Sequence, residues 1–195
     1  MKKKLSVIAV LAVSSFVARS QNVNFGVKAG YNSSSVEITN AGSWTSKSGF
    51  HIGALAHIHA SSHFAVQPEI TFSTQGGESP TEKLKLDYVN VPVLLQYMVS
   101  DGFRLETGPQ IGFLISAKEK AGDNEADIKD LFKGIDFSWD FGAGYVFSSG
   151  FGIDARYNLG LSDIADNPNI DIKAKNRVIQ IGLFYQFANN NGKKK

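Results

Sequence analysis

The chain has 195 residues, a formal net charge of +2 and a charged fraction of 19%, below the roughly 25% usual for soluble domains. Cysteine is absent, which excludes disulfides, thiolate catalysis and cysteine-ligated zinc. Glycine at 19 residues and aromatics at 11% suit strands and tight turns better than helices.

Residues 1–20 read as a secretory signal. Lys2, Lys3 and Lys4 form the positive start, Leu5 to Val17 the apolar run, and Ala18-Arg19-Ser20 a small-x-small cleavage site before Gln21. The apolar run is shorter than the about 20 residues a bilayer-spanning helix needs. Without the basic Lys2, Lys3, Lys4 and Arg19 the formal charge turns from +2 to −2. The basic balance therefore belongs to the leader and indicates no nucleic-acid partner. The expected organisation is a signal peptide at 1–20, a barrel over 21–187 and a polar tail over 188–195 that ends in three lysines.

From Asn22 onward the pattern is alternation with period two, which sends successive side chains to opposite faces of a strand. In the first segment Val23, Phe25, Val27, Ala29 and Tyr31 share one face and Asn24, Gly26, Lys28, Gly30 and Asn32 the other. Further strands are predicted near 48–59, 63–75, 84–99, 102–117, 135–147, 150–161 and 176–187. In the last, Ile179, Ile181, Leu183, Tyr185 and Phe187 oppose Gln180, Gly182 and Gln186. Connections alternate between short turns at 60–62, 100–101 and 148–149 and long polar loops at 33–47, 76–83, 118–134 and 162–175. Residues 127–132 fit one helical turn capped by Asp127. The prediction is all-β: an eight-stranded antiparallel up-and-down transmembrane β-barrel, with short periplasmic turns and long extracellular loops.

The direction of the apolar face separates a soluble ligand-binding barrel from a membrane barrel. Phe137, Trp139, Phe141, Tyr145 and Phe147 crowd one face of a single strand, and an eight-stranded lumen cannot hold that many large rings. The glycine-rich face, with Gly108, Gly112, Gly142, Gly144, Gly152 and Gly160, is expected inside. Outward aromatics at the short-turn ends (Phe64, Tyr97, Phe103, Phe147, Phe151, Tyr185 and Phe187) suit an interfacial girdle.

In this register the lumen holds Lys28, Arg104 and Arg156 beside Glu69, Glu106, Asp140 and Asp154. Buried charges demand partners, so these seven are expected to form a structural plug of ion pairs; a proton or ion path is the competing reading. His51, His57, His59 and His63 cluster around one strand, but two histidines sharing a face fall short of a zinc set, and no metal or other cofactor is expected. No Gly-x-Ser-x-Gly occurs. Ser34, Asp163 and Asp166 are the rim residues a membrane-barrel enzyme would use, yet nothing sets them apart from ordinary loop residues.

Five motifs share a wider pattern: Phe-Gly-Val-Lys-Ala-Gly-Tyr-Asn from Phe25 to Asn32, Gln67-Pro68-Glu69, Tyr-Val-Asn-Val-Pro from Tyr88 to Pro92, Gly-Pro-Gln-Ile-Gly from Gly108 to Gly112, and Asp-Ala-Arg-Tyr-Asn-Leu-Gly from Asp154 to Gly160. Together the chain resembles the PorT-like outer-membrane β-barrel family common in Bacteroidota. The resemblance implies an outer-membrane barrel and assigns no activity, since fold does not imply function. Pro68, Pro92 and Pro109 are expected where a strand drops a ladder hydrogen bond, with bulges as one way to absorb the loss. The functional expectation is a non-enzymatic integral barrel, in contact with outer-membrane lipid and docking a periplasmic or surface protein. Small-ligand capture or narrow solute passage at the barrel mouth is one alternative, and an outer-membrane enzyme with rim residues is another.

Overall fold

The computed structural model describes residues 23–39, 42–166 and 173–187; the expected leader and polar tail lie outside them. The strands are β1 Val23–Ile38, β2 Gly42–Ser43, β3 Lys47–His59, β4 Phe64–Glu78, β5 Glu82–Met98, β6 Phe103–Ala121, β7 Asn124–Asp127, β8 Ile135–Val146, β9 Phe151–Gly160 and β10 Ala174–Gln186. Each of the eight long strands pairs antiparallel with the next long one, and β10 closes onto β1 from Gly26↔Gln186 to Ile38↔Ala174. β2 and β7 are short additions to β1 and β6. The result is an eight-stranded, closed, up-and-down barrel. Closure leaves none of the eight long strands with an unpaired edge.

The apolar face points outward, as the crowding argument requires. Phe25, Val27 and Tyr31 on β1, Phe137, Trp139 and Phe141 on β8, and Ile179, Ile181 and Leu183 on β10 are all exposed. At the short-turn end outward rings touch, across strands for Phe64 with Tyr97 at 5.2 Å and Phe151 with Tyr185 at 4.8 Å, and along the chain at the end of β10 for Tyr185 with Phe187 at 5.4 Å between centroids. Nearer the other end Trp139 donates Nε1–H to Thr107 Oγ1 at 2.7 Å. From Tyr145 back to Phe137 the outer face of β8 climbs eight residues, on the order of 20 Å for a strand tilted by about 40°. The tight turns carry Gly102 at φ 89° and Gly150 at φ 88°, a left-handed conformation that a side chain would strain.

The strands are longer than the alternation indicated. β1 runs on to Ile38 and β6 to Ala121, and the connection from β4 to β5 shrinks to residues 79–81. Much of what reads as long polar loop is therefore strand projecting past the apolar band. The expected helical turn is a 3-10 turn at Lys129–Leu131, entered from Ile128 rather than Asp127, although Asp127 Oδ1 does accept the Lys129 N–H at 3.0 Å. None of the three prolines sits at a register shift. Pairing lapses beside Pro68 and after Pro92 and resumes in the same register, whereas Pro109 stays paired with Trp139. The one shift in the β5–β6 ladder lies between Asp87 and Tyr88, which face Ser116 and Leu114 and leave Ile115 as the extra residue.

Candidate functional site

The inside of the barrel changes character along its axis. In the half nearest the short turns the alternation of six strands delivers charged and amide side chains to one centre. Arg156 on β9 donates twice to Glu69 on β4, from Nη1 at 2.8 Å and Nη2 at 2.7 Å, and from Nε to Glu106 on β6. Lys28 on β1 pairs with Asp154 at 2.8 Å and Glu69 at 3.4 Å. The outer oxygen of Glu106 accepts Gln96 Nε2–H at 2.8 Å, and Gln96 Oε1 in turn accepts His57 Nδ1–H, also at 2.8 Å. One hydrogen-bonded chain thus ties β1, β3, β4, β5, β6 and β9 together. Its charged members are at most 5% exposed. A bidentate guanidinium–carboxylate pair is the geometry that best offsets the cost of taking both ions out of water.

Of the seven charges expected in the lumen, the structure joins five: Lys28, Glu69, Glu106, Asp154 and Arg156. Asp140 and Arg104 are buried with them but stand outside the ion pairs among the described residues. Asp140 accepts Asn158 Nδ2–H at 2.7 Å. Arg104 reaches Gln96 Oε1 at only 3.4 Å and lies 5.4 Å over the ring of Phe184. Phe184 is a large ring on the inner face, a position the glycine-rich pattern does not foretell. It fits because Gly152 opposite has no side chain: a Cβ there would fall inside the ring.

Above the charged centre the lumen is lined mainly by amide and hydroxyl side chains, with Asp136 as a carboxylate among them. Asn32 donates to Ser73 Oγ at 2.9 Å and to the Phe50 carbonyl at 3.0 Å, and its Oδ1 accepts His51 Nδ1–H at 2.7 Å. Asn158 donates to Ser138 Oγ at 2.8 Å, and Asn176 to Asp136 Oδ2 at 2.9 Å. Higher still the interior becomes apolar. Val36, Leu84, Leu86, Tyr88, Leu114, Ala117, Ile164 and Ala174 form a buried cluster, flanked by Trp44, Ile128 and Phe132. Ile164 comes from the segment after β9 and is held there by its own N–H on the Ala174 carbonyl at 2.9 Å and by Lys133 N–H on its carbonyl at 2.8 Å. Asp163 beside it accepts Lys133 Nζ–H at 2.8 Å and the N–H groups of Ala174 and Ala165. Partial burial pushes its carboxyl up, and those donors outweigh that effect, holding it below the usual range.

The four histidines do not share one set of partners. His51 and His57 are buried on separate partners, Asn32 and Gln96, His59 meets His57 edge-on at 4.5 Å, and His63 takes Ser62. Among the described residues no group of three or more His, Asp or Glu is placed to hold a metal. The proposed rim trio also disperses: Ser34 is buried inside β1 and bonded to the Lys47 carbonyl, Asp163 is engaged with Lys133, and Asp166 is exposed.

The same architecture recurs in solved structures. The attachment invasion locus protein Ail of Yersinia pestis superposes with a TM-score of 0.51 at 19% identity, over 86% of this chain and all of that one. Neisserial surface protein A gives a TM-score of 0.60 at 14% identity, again over 86% of this chain and 100% of its own. At such identities the likeness concerns the fold. No curated protein matches in sequence. The family model for the outer membrane protein beta-barrel domain matches residues 19–166. A closed eight-stranded barrel with its apolar face outward, and that match over most of the chain, place the protein in the bacterial outer membrane as a member of the outer membrane protein beta-barrel domain family.

Proposed function

We propose that this protein is a non-enzymatic anchor, a barrel closed by its own side chains that holds its projecting strands and loops at the cell surface for contact with another protein. The observation that carries the reading is the Lys28–Glu69–Arg156–Glu106 network across the lumen, with every charged member nearly inaccessible. A barrel of eight strands has room for side chains and no aqueous channel. The five joined charges serve as a structural plug, with Arg104 and Asp140 beside it. The reading includes a signal peptide at 1–20, short turns facing the periplasm and projecting strands facing outward, the usual asymmetry of outer-membrane barrels. It also includes membership of the PorT-like Bacteroidota branch, on the five motifs quoted above. Of two barrels of this fold, one is named a surface protein and the other an attachment invasion locus protein, in keeping with loops as the working part.

Planar-bilayer recording on the refolded full chain tests the plug. The expected result is no steady conductance for the wild type, and a steady ohmic step would overturn it. Cross-linking from a photoreactive residue at Leu131, exposed at the projecting end, tests the surface role: a discrete adduct with one protein supports it, and adducts with lipid alone count against it.

A further inference from the structure

We propose that the mouth of the barrel at its short-turn end is a binding site for a small soluble anion, a carboxylate or phosphate, with Arg104 as the counter-charge. The inference needs only the fold and does not rest on the anchoring role. A cavity of about 410 Å³ opens there, and its lining includes His57, His59, His63, Arg104 and Gln186, with Asp101 the one carboxylate among the described residues that line it. Its volume lies within the range of small-molecule sites, roughly 300–1,000 Å³.

Arg104 is the reason to expect an anion. Its side chain is nearly fully buried, yet it makes no ion pair among the described residues. A guanidinium carries five N–H donors, and here a single one has a protein acceptor, at the long distance of 3.4 Å. The two carboxylates whose charge it feels are directed elsewhere: Glu106 bonds Arg156 and Gln96, and Asp154 pairs with Lys28 and Arg156. Arg156 in the same barrel shows what the fold provides when a guanidinium is meant to be neutralised internally, with two carboxylates at its three nitrogens. At Arg104 one face is covered by Phe184 and the planar edge is left as a fork of the kind that grips carboxylate or phosphate in bidentate fashion. Gln186, also buried, adds an Nε2 with no hydrogen-bond partner among the described residues. The histidines around the opening add ring N–H donors and carry no fixed negative charge.

The test is a side-chain NMR titration of the folded, isotope-labelled full chain in zwitterionic micelles, with sodium phosphate exchanged for sodium chloride at constant ionic strength. The expected result is saturable shifts of the Arg104 Nε–H and Gln186 Nε2–H signals. Arg104→Gln should weaken the apparent affinity by tenfold or more, about 1.4 kcal/mol, while the unheated protein keeps its folded gel mobility. Asp101→Asn, which removes the rim carboxylate without touching the lumen, should tighten binding about two- to threefold. Linear, non-saturating shifts in the wild type would overturn the proposal, and so would Arg104→Gln binding like the wild type. Should Arg104→Gln not fold, Asp101→Asn decides: tighter binding supports the site and unchanged binding refutes it. Shifts that appear only after phosphatidylglycerol is added to the micelles would also overturn it, by assigning the anion to a lipid headgroup.

Discussion

The two halves of the barrel interior solve opposite problems with the same alternating strand. Beside the short turns the outside of each strand faces lipid, so polar groups go inside and must neutralise one another there, as Arg156, Glu69, Lys28 and Asp154 do. At the projecting end the outside faces water. There Lys83, Lys85 and Lys120 are exposed on the outer surface, and Leu84, Leu86 and Tyr88 turn inward to a core closed by Ile164. The lesson is that "inside" has no fixed polarity in a membrane barrel: the solvent on the outer face decides it. The lower half spends its interior on ion pairs, and the upper half is built like a soluble protein, with each buried Leu or Ile contributing about 1.5–3 kcal/mol.

Substitutions that treat the halves alike should give unlike results. Arg156→Ala should have the largest effect, about 3–5 kcal/mol, because it strands Glu69 and Glu106 without a cation; urea titration in micelles measures it, and a change within error would refute the plug. Leu183→Lys, at a lipid-facing position, should cost about 2–4 kcal/mol. Lys85→Leu on the projecting part of β5 should stay within about 0.5 kcal/mol. Equal costs for these two would erase the boundary drawn between the halves. Ile164→Ala should cost about 2 kcal/mol or more, felt locally: protease cleavage near residues 161–166 should rise while heat-modifiable gel mobility is kept. The smallest effect is one of pH. The Asp163 carboxyl lies below its usual 3.8 when folded, so its contribution is complete above that value and is lost as pH falls through the lower folded one. Hydrogen exchange at the Ala165 and Ala174 amides should therefore gain an extra acceleration below about pH 4, and Asp163→Asn should remove that step.

How much could be read in advance follows the same division. Within the apolar band one face is uniformly apolar, so alternation alone gives strand number, order and the outward direction, and it names seven of the buried charged side chains while passing over Asp87 and Asp136. It does not say which of them touch. Arg104 and Arg156 occupy equivalent inward positions on β6 and β9, and only the closed barrel shows that Arg156 meets two carboxylates while Arg104 opens on the mouth. The apolar upper core had a legible sign that the loop reading passed over. Along β5 the apolar residues switch phase, from Leu84, Leu86 and Tyr88 at even positions to Val89, Val91, Val93, Leu95 and Tyr97 at odd ones. No register slip in β5 accompanies the switch, so it marks where the strand leaves the membrane. On β6 the same change needs the bulge at Ile115, which turns Ala117 inward and keeps Lys118 and Lys120 on the outer surface; a period-two rule cannot see an inserted residue.

By itself the sequence determined the chain's class, because the side-chain period of a strand is fixed by backbone geometry and the lipid-facing side must be apolar along its whole length. Within the apolar band it also determined which face of each strand enters the lumen. Tertiary structure decided the rest: which charges pair, how far the strands project, that Ile164 closes the top and that Arg104 faces the open mouth. Those outcomes depend on distances between strands far apart in sequence, set when β10 closes on β1, and local alternation carries no record of them.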